Sequence, residues 1–336
     1  MAQGTTTPVF YEGFARTGAI GDPAVEGGNG WVTHSGSGPI AILEGSLSYP
    51  GLTASTGNRI LLPAAAATSR DVNADISGTI PAGTTTAYYS AIIKVLDDTQ
   101  LGDTPDYFMH FGNDAGAANT NLFGRLHAKK SGTGYRLAIQ NISGGTPTQT
   151  DFPLDLTFGT SVLVVVKFEI KDGNDMATLW VNPTLGATEP TNGVSNSSGT
   201  NSATRFQSIG LRNGFMSASS SGTPKVEIDE IRVGTTFASV TPGTTTSIKD
   251  FKAGNLNIYP NPANGTFKLQ LPANLSSGKV AMTVYTVSGT VLLSATGTEK
   301  ALNEQLSSKF NNAAAGVYLV KIEANGESFQ TRLVKN

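Results

Sequence analysis

The residues able to do chemistry in this sequence are few. Glu227-Ile228-Asp229-Glu230 is one acidic run. On an extended strand successive side chains alternate, so Glu227 and Asp229 share a face and Glu230 turns to the other. Retaining glycoside hydrolysis needs two carboxyls about 5–5.5 Å apart, which Glu227 and Asp229 would offer, but Glu230 faces away from them and catalysis is not assigned there. The three histidines, His34, His110 and His127, are scattered along the chain. His110 and His127 can face each other across a hairpin, yet no activated nucleophile accompanies them as a triad requires. Asp97, Asp98, Asp103 and Asp106 form an acidic loop whose spacing matches no calcium loop, and turn formation explains them better. Trp31, Tyr88, Tyr107 and Trp180 would stack on sugar rings if an open sheet face presented them, and are otherwise core. Cysteine is absent, which excludes disulfides, thiolate catalysis and Cys-based zinc sites.

The elements that must position these residues are strands. The chain has 336 residues, 14% of them charged, with 39 glycines and a formal net charge of −2. Soluble domains average about 25% charged residues and about 7% glycine, so a helical bundle or coiled coil is excluded. Glycine has no three-residue period, which excludes collagen. The near-neutral balance leaves no electrostatic footprint for nucleic acid, and no apolar run reaches the roughly 18 residues of a membrane helix. The start, Met1-Ala2-Gln3-Gly4, has neither a basic nor an apolar leader segment, which suits a cytoplasmic start and a processed chain equally.

Alternation with period two dominates. In 86–96, Ala87, Tyr89, Ala91, Ile93 and Val95 share one face, and Tyr88, Ser90, Ile92 and Lys94 the other. In 161–170, Val162, Val164, Val166, Phe168 and Ile170 alternate with Leu163, Val165, Lys167 and Glu169, which predicts a central strand. Asp172-Gly173-Asn174-Asp175 then turns into a strand over 176–181. Further strands are expected at 107–112, 122–129, 135–140 and 226–233. Nothing with a 3.6-residue period lasts longer than two turns. The polar stretch 241–255 reads as a linker, and strands resume after it at 256–259, 266–271, 280–287, 290–295, 316–323 and 328–334. Residues 1–256 hold 16 Lys and Arg against 21 Asp and Glu, whereas 257–336 hold 7 against 4, which fits two modules. The expected architecture is all-β: a short disordered tail over 1–7, a sandwich over 8–240, the linker, and a second small β-sandwich over 256–336.

The second module carries Leu256-Asn257-Ile258-Tyr259-Pro260-Asn261-Pro262, then Val284-Tyr285-Thr286-Val287-Ser288-Gly289, then Gly316-Val317-Tyr318-Leu319-Val320-Lys321-Ile322, and it closes on Arg332-Leu333-Val334-Lys335. In that order and spacing these blocks resemble the type IX secretion system C-terminal sorting domain, with an Ig-like sandwich fold. The resemblance marks Pro260, Asn261, Pro262, Gly289, Gly316, Tyr318 and Lys335 as the sorting-signal residues. Pro260 and Pro262 withhold two N–H donors, so that corner cannot extend a sheet, and Gly289 and Gly316 are expected to supply turn conformations. The resemblance implies a leader removed before Ala2, passage through the periplasm, and export by an outer-membrane translocon and shuttle in a Bacteroidetes-type bacterium. It also implies a sortase-like peptidase that cuts within 241–255 and leaves the cargo released or anchored at the cell surface.

In the first module, Phe10-Tyr11-Glu12-Gly13-Phe14, Asn29-Gly30-Trp31, Gly45-Ser46-Leu47-Ser48-Tyr49, Leu179-Trp180-Val181-Asn182-Pro183 and Ile228-Asp229-Glu230-Ile231-Arg232-Val233-Gly234 resemble concanavalin A-like, LamG-like jelly rolls. Such folds bring the closing strand beside the first. The resemblance implies a structural Ca²⁺ shared by Glu12 and Asp229 with backbone carbonyls; the alternative is that Asp229 and Glu230 are solvated or paired with Arg232. The sequence as a whole reads as a secreted or cell-surface protein whose head binds an extracellular glycan or another surface ligand, with Trp31, Tyr88, Tyr107 and Trp180 as the aromatic candidates. The alternatives are a glycan hydrolase or lyase, and a structural or adhesin subunit that binds no small ligand.

Overall fold

A computed structural model of the chain describes residues 7–21, 30–63, 69–186, 188–214, 222–243, 256–264, 267–272, 275, 278–287, 290–324 and 327–336. The chain divides into two compact units, 1–244 and 245–336. Most of the expected linker, 244–255, the tail 1–6 and Gly289 lie outside the described residues.

The strands of the first unit are β1 (Phe10–Glu12), β2 (Ala19–Ile20), β3 (Trp31–Gly36), β4 (Ile40–Leu43), β5 (Arg59–Leu62), β6 (Arg70–Asp75), β7 (Thr86–Asp97) and β8 (Asp106–Gly112). They continue with β9 (Leu122–Ser131), β10 (Gly134–Ile142), β11 (Thr150–Asp151), β12 (Val162–Glu169), β13 (Met176–Val181), β14 (Val194–Asn196), β15 (Ser208–Arg212) and β16 (Lys225–Gly234), and a single helical turn, α1 (Phe237–Val240), follows. One sheet runs β14-β13-β12-β7-β16-β5-β4-β2, with β1 also paired to β16; the other runs β11-β10-β9-β8-β15-β6-β3. Every pairing is antiparallel, and neighbours distant in sequence lie side by side, as in a jelly-roll sandwich.

The alternation explains why the two sheets pack. Ala87, Tyr89, Ala91, Ile93 and Val95 of β7 and Val162, Val164, Val166 and Phe168 of β12 lie in one core with Phe108, Phe111 and Phe123 of the facing sheet. Their other-face neighbours Tyr88, Ile92, Leu163 and Val165 are buried as well, in a smaller cluster with Leu47, Leu52, Trp180, Phe237 and Val240 on the outer side of the nine-stranded sheet. The central strands are therefore apolar on both faces because each face is covered. Residues 241–243, which the sequence places in the linker, are held on this unit: Thr241 Oγ1 donates to the Phe237 carbonyl at 2.8 Å, and Gly243 bridges Leu52.

The acidic run departs from plain alternation. Ile228 and Ile231 both face the core, and β16 bulges between Asp229 and Arg232, with Glu230 at φ +56°. The extra residue keeps Glu230 on the outer face, where it accepts from Tyr11 Oη at 2.6 Å and from the Thr56 N–H at 3.2 Å and pairs with Arg232. This corrects the expectation that Glu230 turns to the opposite face.

The second unit contains β17 (Asn257–Tyr259), β18 (Lys268–Gln270), β19 (Val280–Thr286), β20 (Val291–Gly297), β21 (Gly316–Ala324) and β22 (Glu327–Lys335), in a two-stranded sheet β17-β18 and a four-stranded sheet β20-β19-β21-β22. It also holds a helix that the period reading passed over, α2 (Glu299–Phe310). Its three buried residues, Leu302, Leu306 and Phe310, recur every four positions and complete the core with Leu269, Met282, Val284, Val320 and Leu333. Asn303 fixes the helix to β18: its Oδ1 accepts from the Leu269 N–H at 2.7 Å and its Nδ2 donates to the Leu269 carbonyl at 2.8 Å, as a neighbouring strand would.

Candidate functional site

Four aromatics were expected to meet a ligand, and the fold separates them. Trp31 is 1% exposed in the main core, where its Nε1 donates to Glu12 at 3.0 Å. Trp180 lies in the outer cluster edge-on to Phe237, and its Nε1 donates to the Pro190 carbonyl at 2.8 Å. Tyr88, in the same cluster, donates its hydroxyl to Glu189. All three rings are spent on packing, and none offers an open face to a sugar. Tyr107 alone lies on the outer face of the seven-stranded sheet, half-buried.

That face is polar because the core takes the alternate residues. Ile209 and Leu211 of β15, Val72 and Ala74 of β6, Leu126 and Ala128 of β9, and Leu137 and Ile139 of β10 point inward. Ser208, Gly210 and Arg212, Asp71 and Asn73, His127, and Arg136 with Gln140 alternate with them and point outward. Arg125 belongs to this set by the same alternation, which breaks only on its N-terminal side. Phe123 and Leu126 both reach the core, and between them Gly124 takes φ +57°, a left-handed conformation that suits glycine. The pairing of β8 with β9 shifts register across the same stretch, which turns Phe123 into the core while Arg125 stays outward beside His127.

The side chains gather around Tyr107. The guanidinium carbons of Arg125 and Arg212 each lie 4.7 Å from its ring centroid, close enough for cation–π attraction. His127 and His110 pack against the same ring, with centroids at 5.6 and 5.9 Å, and His34 meets His110 edge-on at 6.0 Å. The Asn73 amide lies 3.0 Å from His34 Nδ1, donates to the Gly116 carbonyl at 3.0 Å and accepts from the Gly116 N–H at 2.8 Å, so it pins the 116–118 turn over one end of the face. Three histidines that are scattered in sequence are thus brought into one row.

The charges in this cluster are not equally balanced. Arg212 donates from Nη1 to Asp106 at 2.5 Å and has Asp71 at 3.9 Å. Burial works against its charge, but Asp106, the Tyr107 ring and Asp71 hold its pKa above the ordinary value. Arg125 donates to the Leu122 carbonyl at 3.1 Å and to Gln140 Oε1 at 3.4 Å, both neutral acceptors. No carboxylate among the described residues forms an ion pair with Arg125, and burial lowers its pKa. Burial also pushes His110 and His127 down to about 3, with His34 and Arg125 respectively adding to the effect, so both imidazoles are neutral at pH 7. It raises the Tyr107 phenol, against the opposing pull of Arg212 and Arg125.

Glu12 and Asp229, the expected calcium ligands, are engaged elsewhere. Glu12 accepts from the Phe14 N–H at 2.7 Å, from Arg16 at 3.2 and 2.6 Å, and from Trp31 Nε1 at 3.0 Å. Asp229 accepts from the Leu47 and Glu230 N–H groups, each at 2.7 Å. Among the described residues no group of three or more His, Asp or Glu stands together as a cation site. Ca²⁺ takes six to eight oxygens, and the Glu12 carboxylate, already accepting from four N–H donors, does not fit it. Glu227, the remaining acid of the run, lies between Arg59 at 3.0 Å and Lys94 at 2.5 Å.

In the second unit the marked residues cooperate in closing the module. Asn261, between Pro260 and Pro262, donates from Nδ2 to the Arg332 carbonyl at 2.5 Å and accepts at Oδ1 from the Val334 N–H at 2.8 Å. Lys335 Nζ donates to the Phe310 and Ala313 carbonyls, each at 2.6 Å, at the C-terminal end of α2. Tyr318 packs edge-on to Phe310 at 4.8 Å and donates its hydroxyl to the Ala314 carbonyl at 2.7 Å. Gly316 opens β21 rather than forming a turn.

Comparison with known proteins bears on the two units differently. Residues 257–336 match the family described as the secretion system C-terminal sorting domain. The sequence matches no curated protein. Among solved structures the chain is similar to an endo-β-1,4-glucuronan lyase from the fungus Trichoderma reesei, at 15% identity over 70% of this chain and 99% of that one, with a TM-score of 0.44. It is also similar to the alginate lyase Aly36B, at 18% identity over 68% and 97%, TM-score 0.40. A third is the alginate lyase PA1167 from Pseudomonas aeruginosa, at 10% identity over 56% and 87%, TM-score 0.34. No helix among the described residues is long and apolar enough to cross a membrane. The motif blocks, their clipped geometry and the family match agree: residues 257–336 are a type IX secretion C-terminal sorting domain, and the protein is a cargo exported to the cell surface or released from a Bacteroidetes-type bacterium.

Proposed function

We propose that the head of this exported protein binds an extracellular glycan along the outer face of its seven-stranded sheet. The observation that carries the reading is the cluster of Tyr107, Arg125 and Arg212 on that face, underlain by the buried His127 and Gln140. An aromatic ring flanked by hydrogen-bond donors is the chemistry that sugar recognition uses, since C–H faces stack on the ring while hydroxyls and anionic groups meet the donors. The tail unit acts as an address, and a sortase-type cut between the units separates it from the head after export. Retention of the full-length protein in gels containing individual polysaccharides tests the binding. We expect retardation by at least one glycan and its weakening in Tyr107→Ala; unretarded migration in every gel would contradict the reading.

A second reading, elimination at a uronate, has one observation in its favour. Neutral imidazoles and a protonated phenol stand beside two guanidiniums, and a lyase needs a proton acceptor, a proton donor and a cation for the substrate carboxylate. Against it, His110 is fully buried and His127 is 3% exposed, beneath the surface a sugar would touch. Binding is therefore preferred. The appearance of ultraviolet absorbance from a new carbon–carbon double bond during incubation with a polyuronate would reverse that preference.

A further inference from the structure

We infer that the glycan bound at this face is acidic, and that Arg125 receives its carboxylate; this rests on the glycan-binding reading above. Of the two guanidiniums on the Tyr107 ring, Arg212 already has Asp106 at 2.5 Å and Asp71 at 3.9 Å. Arg125 faces only the Gln140 amide oxygen, at a long 3.4 Å, and the Leu122 carbonyl. Its fork is therefore held in place by neutral groups and by the Tyr107 ring, with no ion-paired carboxylate among the described residues; Asp106, paired to Arg212, supports its charge only from a distance. The basic side chains next along the face are satisfied: Lys129 by Asp151 at 2.5 Å and Arg136 by Asp155 at 2.6 Å. A half-buried guanidinium without a carboxylate in direct contact is costly to maintain, and a planar carboxylate fits its parallel N–H donors.

The surroundings favour a carboxylate carried on a sugar over one carried on a peptide. Tyr107, half-buried, lies directly against Arg125 and places an aromatic side chain next to the charge. Gln140, opposite Arg125 in the β9–β10 pairing and buried beneath it, helps to hold the guanidinium in place. His127, kept neutral by burial, adds no second positive charge to attract phosphate or polyanions in general.

The test uses the full chain and a panel of polygalacturonate, polymannuronate and polyglucuronate, each beside its carboxyl-reduced neutral form. Poly-L-glutamate and neutral laminarin complete the set. At least one polyuronate should bind, and its carboxyl-reduced form should bind about tenfold or more weakly. Arg125→Gln should lose a similar factor against the native polymer and hardly distinguish it from the reduced one. Arg125→Lys, which keeps the charge without the fork, should fall between. The comparison of native with reduced polymer needs no variant and so does not depend on how a variant folds. Equal binding of the native and reduced forms would overturn the inference, as would polyglutamate binding as tightly as the polyuronate. Binding confined to laminarin would overturn the inference and leave the glycan reading standing. Binding of no glycan at all would overturn both.

Discussion

The Arg125 guanidinium lies 4.7 Å from the centre of the Tyr107 ring, joining a strand whose alternation has slipped at Gly124 to the neighbouring strand β8. A second guanidinium, Arg212, lies at the same distance from the same ring. Tyr107 is thus the centre of the outer face, and the histidines, acids and amides nearby are arranged relative to it.

His110 depends on a glycine for its place. A Cβ added to Gly210 would lie 2.2 Å from His110 Cε1 and 2.6 Å from Nε2, so Gly210→Ala must expel the ring from a fully buried position. We expect it to cost about 1–3 kcal/mol in urea unfolding and to weaken glycan binding by displacing the support under Tyr107. Unchanged stability would show that His110 has room to move.

Acid should destabilise the head through its neutral histidines. With folded pKa values near 3 against an unfolded value near 6.5, His110 and His127 stay unprotonated in the fold while the unfolded chain takes up protons. Each therefore contributes a loss of about 1.4 kcal/mol per pH unit as pH falls from about 6.5 to about 3. Asp229 works in the other direction: burial raises it to about 7, so below that pH the fold holds a proton that the unfolded chain releases until about pH 4. Urea titrations of wild type and His127→Gln from pH 7 to pH 4 isolate one histidine. The variant should lose close to one proton's worth of slope, and an identical slope would contradict the assignment.

Calcium should leave the head unchanged. The Glu12 oxygens are taken by Arg16, Trp31 Nε1 and the Phe14 N–H, so neither calcium nor a chelator should move the thermal midpoint. A calcium-dependent rise of several degrees would show that these carboxylates rearrange to hold the ion.

Asn261 should control the last strand of the sorting domain. It holds both the Val334 N–H and the Arg332 carbonyl, and Asn261→Ala removes both bonds, at an expected cost of about 1–3 kcal/mol. Amide exchange of the full chain should then accelerate over 327–336 and not over β8 or β9. Unaltered exchange there would mean that the corner is held by its prolines alone.

The strands were readable because apolar and polar residues alternate. In β7 and β12 both the inward set and the covered outer set follow from the sequence. The helix α2 was not, since its three buried residues are set among Ala, Asn, Glu, Gln, Ser and Lys and its anchoring rests on the Asn303 amide beside Leu269. The outer cluster was half legible. Tyr107 stood out as an aromatic, but it takes register to bring Arg125, Arg212 and His34 to it, and register depends on bulges such as that at Gly124. The outward Arg125, His127 and Lys129 of β9 were the available signal: three basic or titratable residues at alternate positions of one strand. Trp31 was misleading for the opposite reason, because a large aromatic is as suited to a core as to a sugar.

The central claim is that this exported head binds glycan at the Tyr107 face. Calorimetric titration of the full chain and of Tyr107→Ala, using the oligosaccharide of whichever polysaccharide retards the protein, tests it most directly. The account predicts saturable binding by wild type and a loss of about tenfold or more in the variant. Equal affinity in the two proteins, or no binding of any glycan by either, would contradict it.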